Sequence, residues 1–212
     1  MVDWATVSSL ATALGTLVLA LATFSSVRAA NRSAKVSELA LQSANRPTLV
    51  NSHIYDPEDK IRFLDDRWVK VKGGHAHASA TKDVIYFVIS VRNAGQGMAV
   101  LDRWVASADS PTAGEDLGDI DSYRRLTRDL YIEAGQSGLW QGSIRDPKYP
   151  HFAKLAEAIA NRDTIRIDIE YADQEGGQRT VSRFALTPAG EEKDDWLVST
   201  VRHWRLDGVN PR

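Results

Sequence analysis

Residues 164–187 read TIRIDIEYADQEGGQRTVSRFALT, and this stretch decides the fold class. Ile165, Ile167, Ile169 and Tyr171 alternate with Arg166, Asp168 and Glu170, the period of two that puts successive side chains on opposite faces of a strand. Asp173 to Gln178 supplies a turn, and a second β-branched and aromatic run follows it. The unit is an antiparallel hairpin, expected to bury its isoleucine face and leave its charged face wet.

The same texture recurs on the N-terminal side. Residues 48–55, 68–73, 83–93, 98–107, 130–135 and 138–144 read as strands beside 164–173 and 179–187. Such segments at hairpin spacing predict a mainly β chain with an antiparallel β-sandwich-like domain and one or two short helices. One helix is expected at 149–163, where Phe152, Leu155, Ala156 and Ile159 share a face. Residues 107–126 read as an acidic loop or partly helical excursion, GGHAHAS as a solvated loop, and 194–208 fits either a last strand or a short helix.

The N-terminal end has a different texture. From Trp4 to Val27 no residue is charged, and residues 10–35 read LATALGTLVLALATFSSVRAANRSAK. About 20 apolar residues cross a bilayer as a helix. A secretory signal needs a basic start and a small-residue cleavage site, whereas the first charge here is Asp3. A buried core helix needs a charged outer face, and none precedes Arg28. The segment therefore predicts a span at about 4–27, continued as a helical stalk to Arg46, with the β-domain over 47–212. Arg28, Arg32, Lys35 and Arg46 follow the span, so the positive-inside rule puts the N-terminus outside and the C-terminal domain in the cytoplasm. Ser8, Ala11, Gly15, Ala22 and Ser25 lie on one stripe of the helix, a pattern that lets membrane helices pack closely.

Composition narrows the function. A net charge of -2 and no clustering of basic residues around the tryptophans argue against nucleic acid as a partner. The absence of cysteine removes disulfides, thiolate metal sites and cysteine nucleophiles. Catalytic motifs of the elbow, Walker and His-Glu-x-x-His types are absent, and no cofactor is expected. His75 and His77 share a side in extended backbone and are the weak candidates for a metal. Gly95 and Gly97 lack the third glycine of a dinucleotide loop. They read with Asn93 as a structural turn in which glycine supplies positive φ. Trp68, Trp104, Trp140, Trp196 and Trp204 read mainly as core, and the basic run RRLTR at 124–128 as a solvated loop, with contact to anionic lipid headgroups as its alternative.

Two motifs carry a resemblance: Arg46-Pro47-Thr48-Leu49-Val50 at the end of the first helix, and Asn93-Ala94-Gly95-Gln96-Gly97-Met98-Ala99 later. With the late hairpin they make the chain similar to a group of small single-span bacterial, mainly actinobacterial, membrane proteins of unassigned activity. The resemblance implies architecture and anchoring and carries over no catalytic residue. The expected function is a non-enzymatic interaction or assembly module at the bilayer, meeting a membrane or inner-face protein or a second copy of itself. The alternative is a membrane-tethered ligand- or ion-sensing domain, or an enzyme with an unrecognised site.

Overall fold

A computed structural model describes residues 3–108 and 116–208. The chain divides into two units, 1–44 and 45–212. The first is a single helix, α1 (Trp4–Ala44), long and apolar enough to cross a membrane. Its leucines and Phe24 are exposed along its length. The hydroxyls that lower its hydropathy turn back on the helix: Thr12 Oγ1 donates to Ser8 O at 2.9 Å and Thr23 Oγ1 to Leu19 O at 2.8 Å. Ser8, Ala11, Gly15, Ala22 and Ser25 all lie exposed, with open space around Gly15. The helix stops ahead of Pro47, whose ring disfavours helical backbone at Arg46.

The second unit is mainly β and antiparallel. Its strands are β1 (Leu49–Asn51), β2 (Asp59–Arg62), β3 (Trp68–Val71), β4 (His75–Ala80), β5 (Ile85–Asn93), β6 (Ala99–Ser107), β7 (Arg124–Ile132), β8 (Ser137–Ile144), β9 (Ile165–Ala172), β10 (Thr180–Pro188) and β11 (Asp195–Arg205). Nine form one sheet in the order β8-β5-β4-β11-β10-β9-β6-β7, with β1 also paired to β5. The ladder joining β4 to β11 spans only His75–His77 against Asp195–Leu197, so the sheet folds over on itself as two sandwich-like halves. The helix α2 (Phe152–Asn161) packs Phe152, Leu155, Ala158 and Ile159 into the core. The β2–β3 hairpin covers the outer face of β5, with Phe63, Val69 and Val71 against Tyr86 and Val88.

Side chains fill the interior. Trp140 and Trp196 are fully buried, and Trp104 meets Trp140 edge to face at 5.2 Å. Gly142 makes that packing possible, since a Cβ there would lie 2.7 Å from Trp140 and 2.9 Å from Trp104.

Several expectations change. GGHAHAS is strand β4; its inward residues are Ala76 and Ala78, too small to give an alternating apolar signal. RRLTR is the start of β7 rather than a loop. Of residues 107–126, a 3-10 turn forms at Ile120–Ser122, while 109–115 lie outside the described residues. The ambiguous tail is strand β11. The charged face of β9 is not wet: Asp168 and Glu170 are buried at 0% and 4% exposure. Tyr123, Val181 and Trp204 form a small second core over that face. Within it Arg183 Nε and NH2 each donate to Asp168 at 2.9 Å, and the guanidinium lies 4.5 Å from the Trp204 ring.

One connection rests on a single side chain. Arg162 ends α2 with φ 58 and donates to Ala189 O and Glu192 O, both at 2.8 Å. Arg162→Ala leaves these carbonyls without that donor and is expected to cost about 1–3 kcal/mol, read as a lower midpoint in thermal unfolding.

Candidate functional site

The two short motifs flagged in the sequence, far apart along the chain, meet in space. Segment Asn45–Asn51, which follows the apolar helix, is gripped by the turn between β5 and β6. Ala94 N donates to Thr48 O at 2.8 Å and Gln96 N to Arg46 O at 3.3 Å. Asn93, fully buried, is the hub. Its Oδ1 accepts from Thr48 N at 3.1 Å and Gly95 N at 3.0 Å, and its Nδ2 donates to Gly97 O at 2.6 Å and Ile132 O at 3.0 Å. All four bonding positions of the carboxamide are used, which only asparagine can supply at this reach.

The glycines serve the same contact. Neither Gly95 nor Gly97 is among the residues with positive φ, so the expectation that they supply left-handed backbone is corrected. They are glycine because of close approach: a Cβ would lie 2.2 Å from Arg46 O at Gly95 and 1.8 Å from Asn45 O at Gly97. Two strands of backbone press together here with no room for a methyl group.

A second set of bonds comes from residues no sequence motif indicated. Tyr171 OH accepts from Leu49 N at 3.1 Å, and Ser182 Oγ donates to Leu49 O at 3.0 Å. The Tyr171 hydroxyl then donates to Ser182 Oγ at 3.0 Å, and His203 Nδ1 closes on that oxygen at 2.8 Å. With the serine proton spent on Leu49, His203 serves as the Nδ1–H donor tautomer. Asn51 N donates to Thr200 Oγ1 at 2.8 Å, and Arg46 Nε donates to Gln178 Oε1 at 2.7 Å. Burial raises the Tyr171 hydroxyl above its ordinary value and holds the His203 imidazole below its own. Both groups are thus neutral at physiological pH, and their hydrogen bonds are spent on the backbone of Leu49 and on each other.

Burial also lowers His77. A histidine whose folded value is depressed contributes stability above its unfolded value of about 6.5 and loses it as pH falls through the folded one. Acidification from neutrality to pH 5 is therefore expected to lower the unfolding midpoint, and His203→Gln to flatten that dependence.

The histidines singled out for metal binding sit on β4 and are half-buried. His75 Nδ1 meets Asp195 Oδ1 at 2.7 Å, while His77 Nε2 meets Ser79 Oγ at 2.8 Å. Among the described residues no group of three or more His, Asp or Glu side chains is placed to hold an ion. The small-residue stripe lies on α1.

No protein-family model matches the chain, and no curated protein matches its sequence. What the fold and the site define is a class: a β-domain whose entry strand is clamped directly behind a helix of membrane-spanning character.

Proposed function

We propose that this chain is a single-pass, membrane-anchored β-domain that acts as a non-enzymatic interaction or assembly module. The observation that carries the reading is the clamp on Asn45–Asn51, where the asparagine hub, two glycine contacts and the Tyr171-Ser182 pair fasten the residues following the helix. An anchored module needs its body fixed at the point where the anchor enters. A core filled by Trp104, Trp140, Trp196 and Phe87 supports presentation of a surface over enclosure of a substrate. The basic residues Arg28, Arg32 and Lys35 support a cytoplasmic domain with the N-terminus outside.

The test is membrane topology. Cysteines placed singly at Lys82 and Glu175, both exposed, are expected to resist an impermeant thiol reagent in intact cells and to react once the membrane is opened. Labelling in intact cells reverses the orientation; recovery of the chain in the soluble fraction refutes the anchor.

A further inference from the structure

The end strands of the sheet, β7 and β8, come together at a seam, each hydrogen-bonded to one neighbour only. The seam encloses about 50 Å³, lined by Arg124, Arg125, Gln141, Ser143 and Arg145 with Leu64 of the β2–β3 turn at its edge. The arginines are poorly supplied with counter-charge. Arg124 is set by aromatic rings, 5.8 Å from Trp104 and 4.9 Å from Tyr149. Arg125 and Arg128 are exposed and have no ion pair among the described residues. The carboxylate at the rim is Asp65, 3.4 Å from Arg145, and it also accepts from the Tyr86 hydroxyl.

Folding alone does not account for this placement. Arg125 stands opposite Arg103 in the β6–β7 register, and the carboxylates of Asp102, Asp121 and Glu170 gather on Arg103 rather than on Arg125. Gln141 Oε1 is buried without a donor. Beside the seam, Leu64 is 78% and Trp68 58% exposed, with Lys60 and Arg62 over the Trp68 ring at 5.4 and 5.9 Å.

We propose that the β7–β8 seam and the adjoining β2–β3 turn dock on an anionic bilayer, the seam arginines taking headgroup phosphates while Leu64 and Trp68 enter the interfacial layer. Guanidinium forks match phosphate oxygens. Tryptophan and leucine beside cations are the composition of an interface contact. Each cation is worth only about fivefold at an anionic surface. That is too little to recruit a free protein, but enough for a domain already tethered at high effective concentration. The proposal therefore rests on the anchored reading above.

The test uses the full chain in nanodiscs of phosphatidylcholine alone or with phosphatidylglycerol, carrying an environment-sensitive dye on Leu64→Cys, the one thiol in the chain. A blue shift is expected in the phosphatidylglycerol discs only, reversed by salt. The variant R125Q, at an exposed position and with an unchanged unfolding midpoint, is expected to weaken docking about fivefold. No shift in a chain that copurifies with the discs overturns docking and leaves the anchor standing. An equal shift in phosphatidylcholine discs overturns the charge reading. A shift raised by soluble glycerol phosphate in phosphatidylcholine discs overturns the lipid source. Failure to copurify with any disc overturns the anchor and this inference with it.

Discussion

Asp168→Ala is expected to lower the unfolding free energy by roughly 3–5 kcal/mol, the cost of leaving a buried charge without its partner. Both members of the Arg183–Asp168 pair are fully buried, and the bidentate bonds of 2.9 Å satisfy the carboxylate on both oxygens. Tyr123 OH adds a third bond at 3.3 Å. Burial and the neighbouring Asp168 push that phenol well above its ordinary value, so it remains a neutral donor. Removing the carboxylate strands the Arg183 cation between Trp204 and the strand, out of reach of water. The double variant Asp168→Leu with Arg183→Met tests the cause. If the cost is the uncompensated charge, the apolar pair recovers most of the loss, because buried ion pairs and packed apolar groups are nearly equal in stability. Denaturant unfolding of the three chains decides it. A loss below about 1 kcal/mol for Asp168→Ala shows that water reaches the pair and that this face is wet after all.

That pair also marks where sequence reading stops. The alternation in 164–187 identified β9 and β10, because a strand's period is a local property. Their outer face was invisible, since what covers it comes from Tyr123 and Trp204, each remote in sequence. Strand β4 was hidden for a different reason: its core residues are alanines, which carry little hydrophobic contrast. The apolar helix was legible from the absence of charge alone. At the clamp, Asn93, Gly95, Gly97 and Arg46-Pro47 stood out as turn and boundary residues, but their meeting did not. Tyr171 and Ser182 gave no signal, since their common partner Leu49 lies more than a hundred residues away, and His203 joins them only through Ser182.

Gly97→Ala is expected to damage the clamp more than an ordinary overpacked core site, which costs about 1–3 kcal/mol. The added carbon would sit 1.8 Å from Asn45 O, and that atom is backbone, so the neighbour cannot swing aside as a side chain can. Relief requires the β5–β6 turn to part from segment 45–48, which breaks the bond from Thr48 N to Asn93 Oδ1 and those from Ala94 N to Thr48 O and from Gln96 N to Arg46 O. Asn93→Ala should reach the same state from the other side, by removing the hub and leaving buried backbone groups unpaired at about 1–3 kcal/mol each. Gly176→Ala separates clamp damage from general strain. Gly176 has φ +79 and open space around it, so alanine there costs about 1–2 kcal/mol of backbone strain without touching the clamp. Hydrogen exchange at Leu49–Asn51 is the readout. Gly97→Ala and Asn93→Ala should release those amides ahead of the β9–β10 ladder, whereas Gly176→Ala should leave them protected to the same degree as the rest of the sheet. Uniform loss of protection in all three would make the clamp an ordinary part of the fold. Selective release would establish it as a separable fastening, and cleavage of the chain by added protease near Asn45 should then accelerate in the same two variants alone.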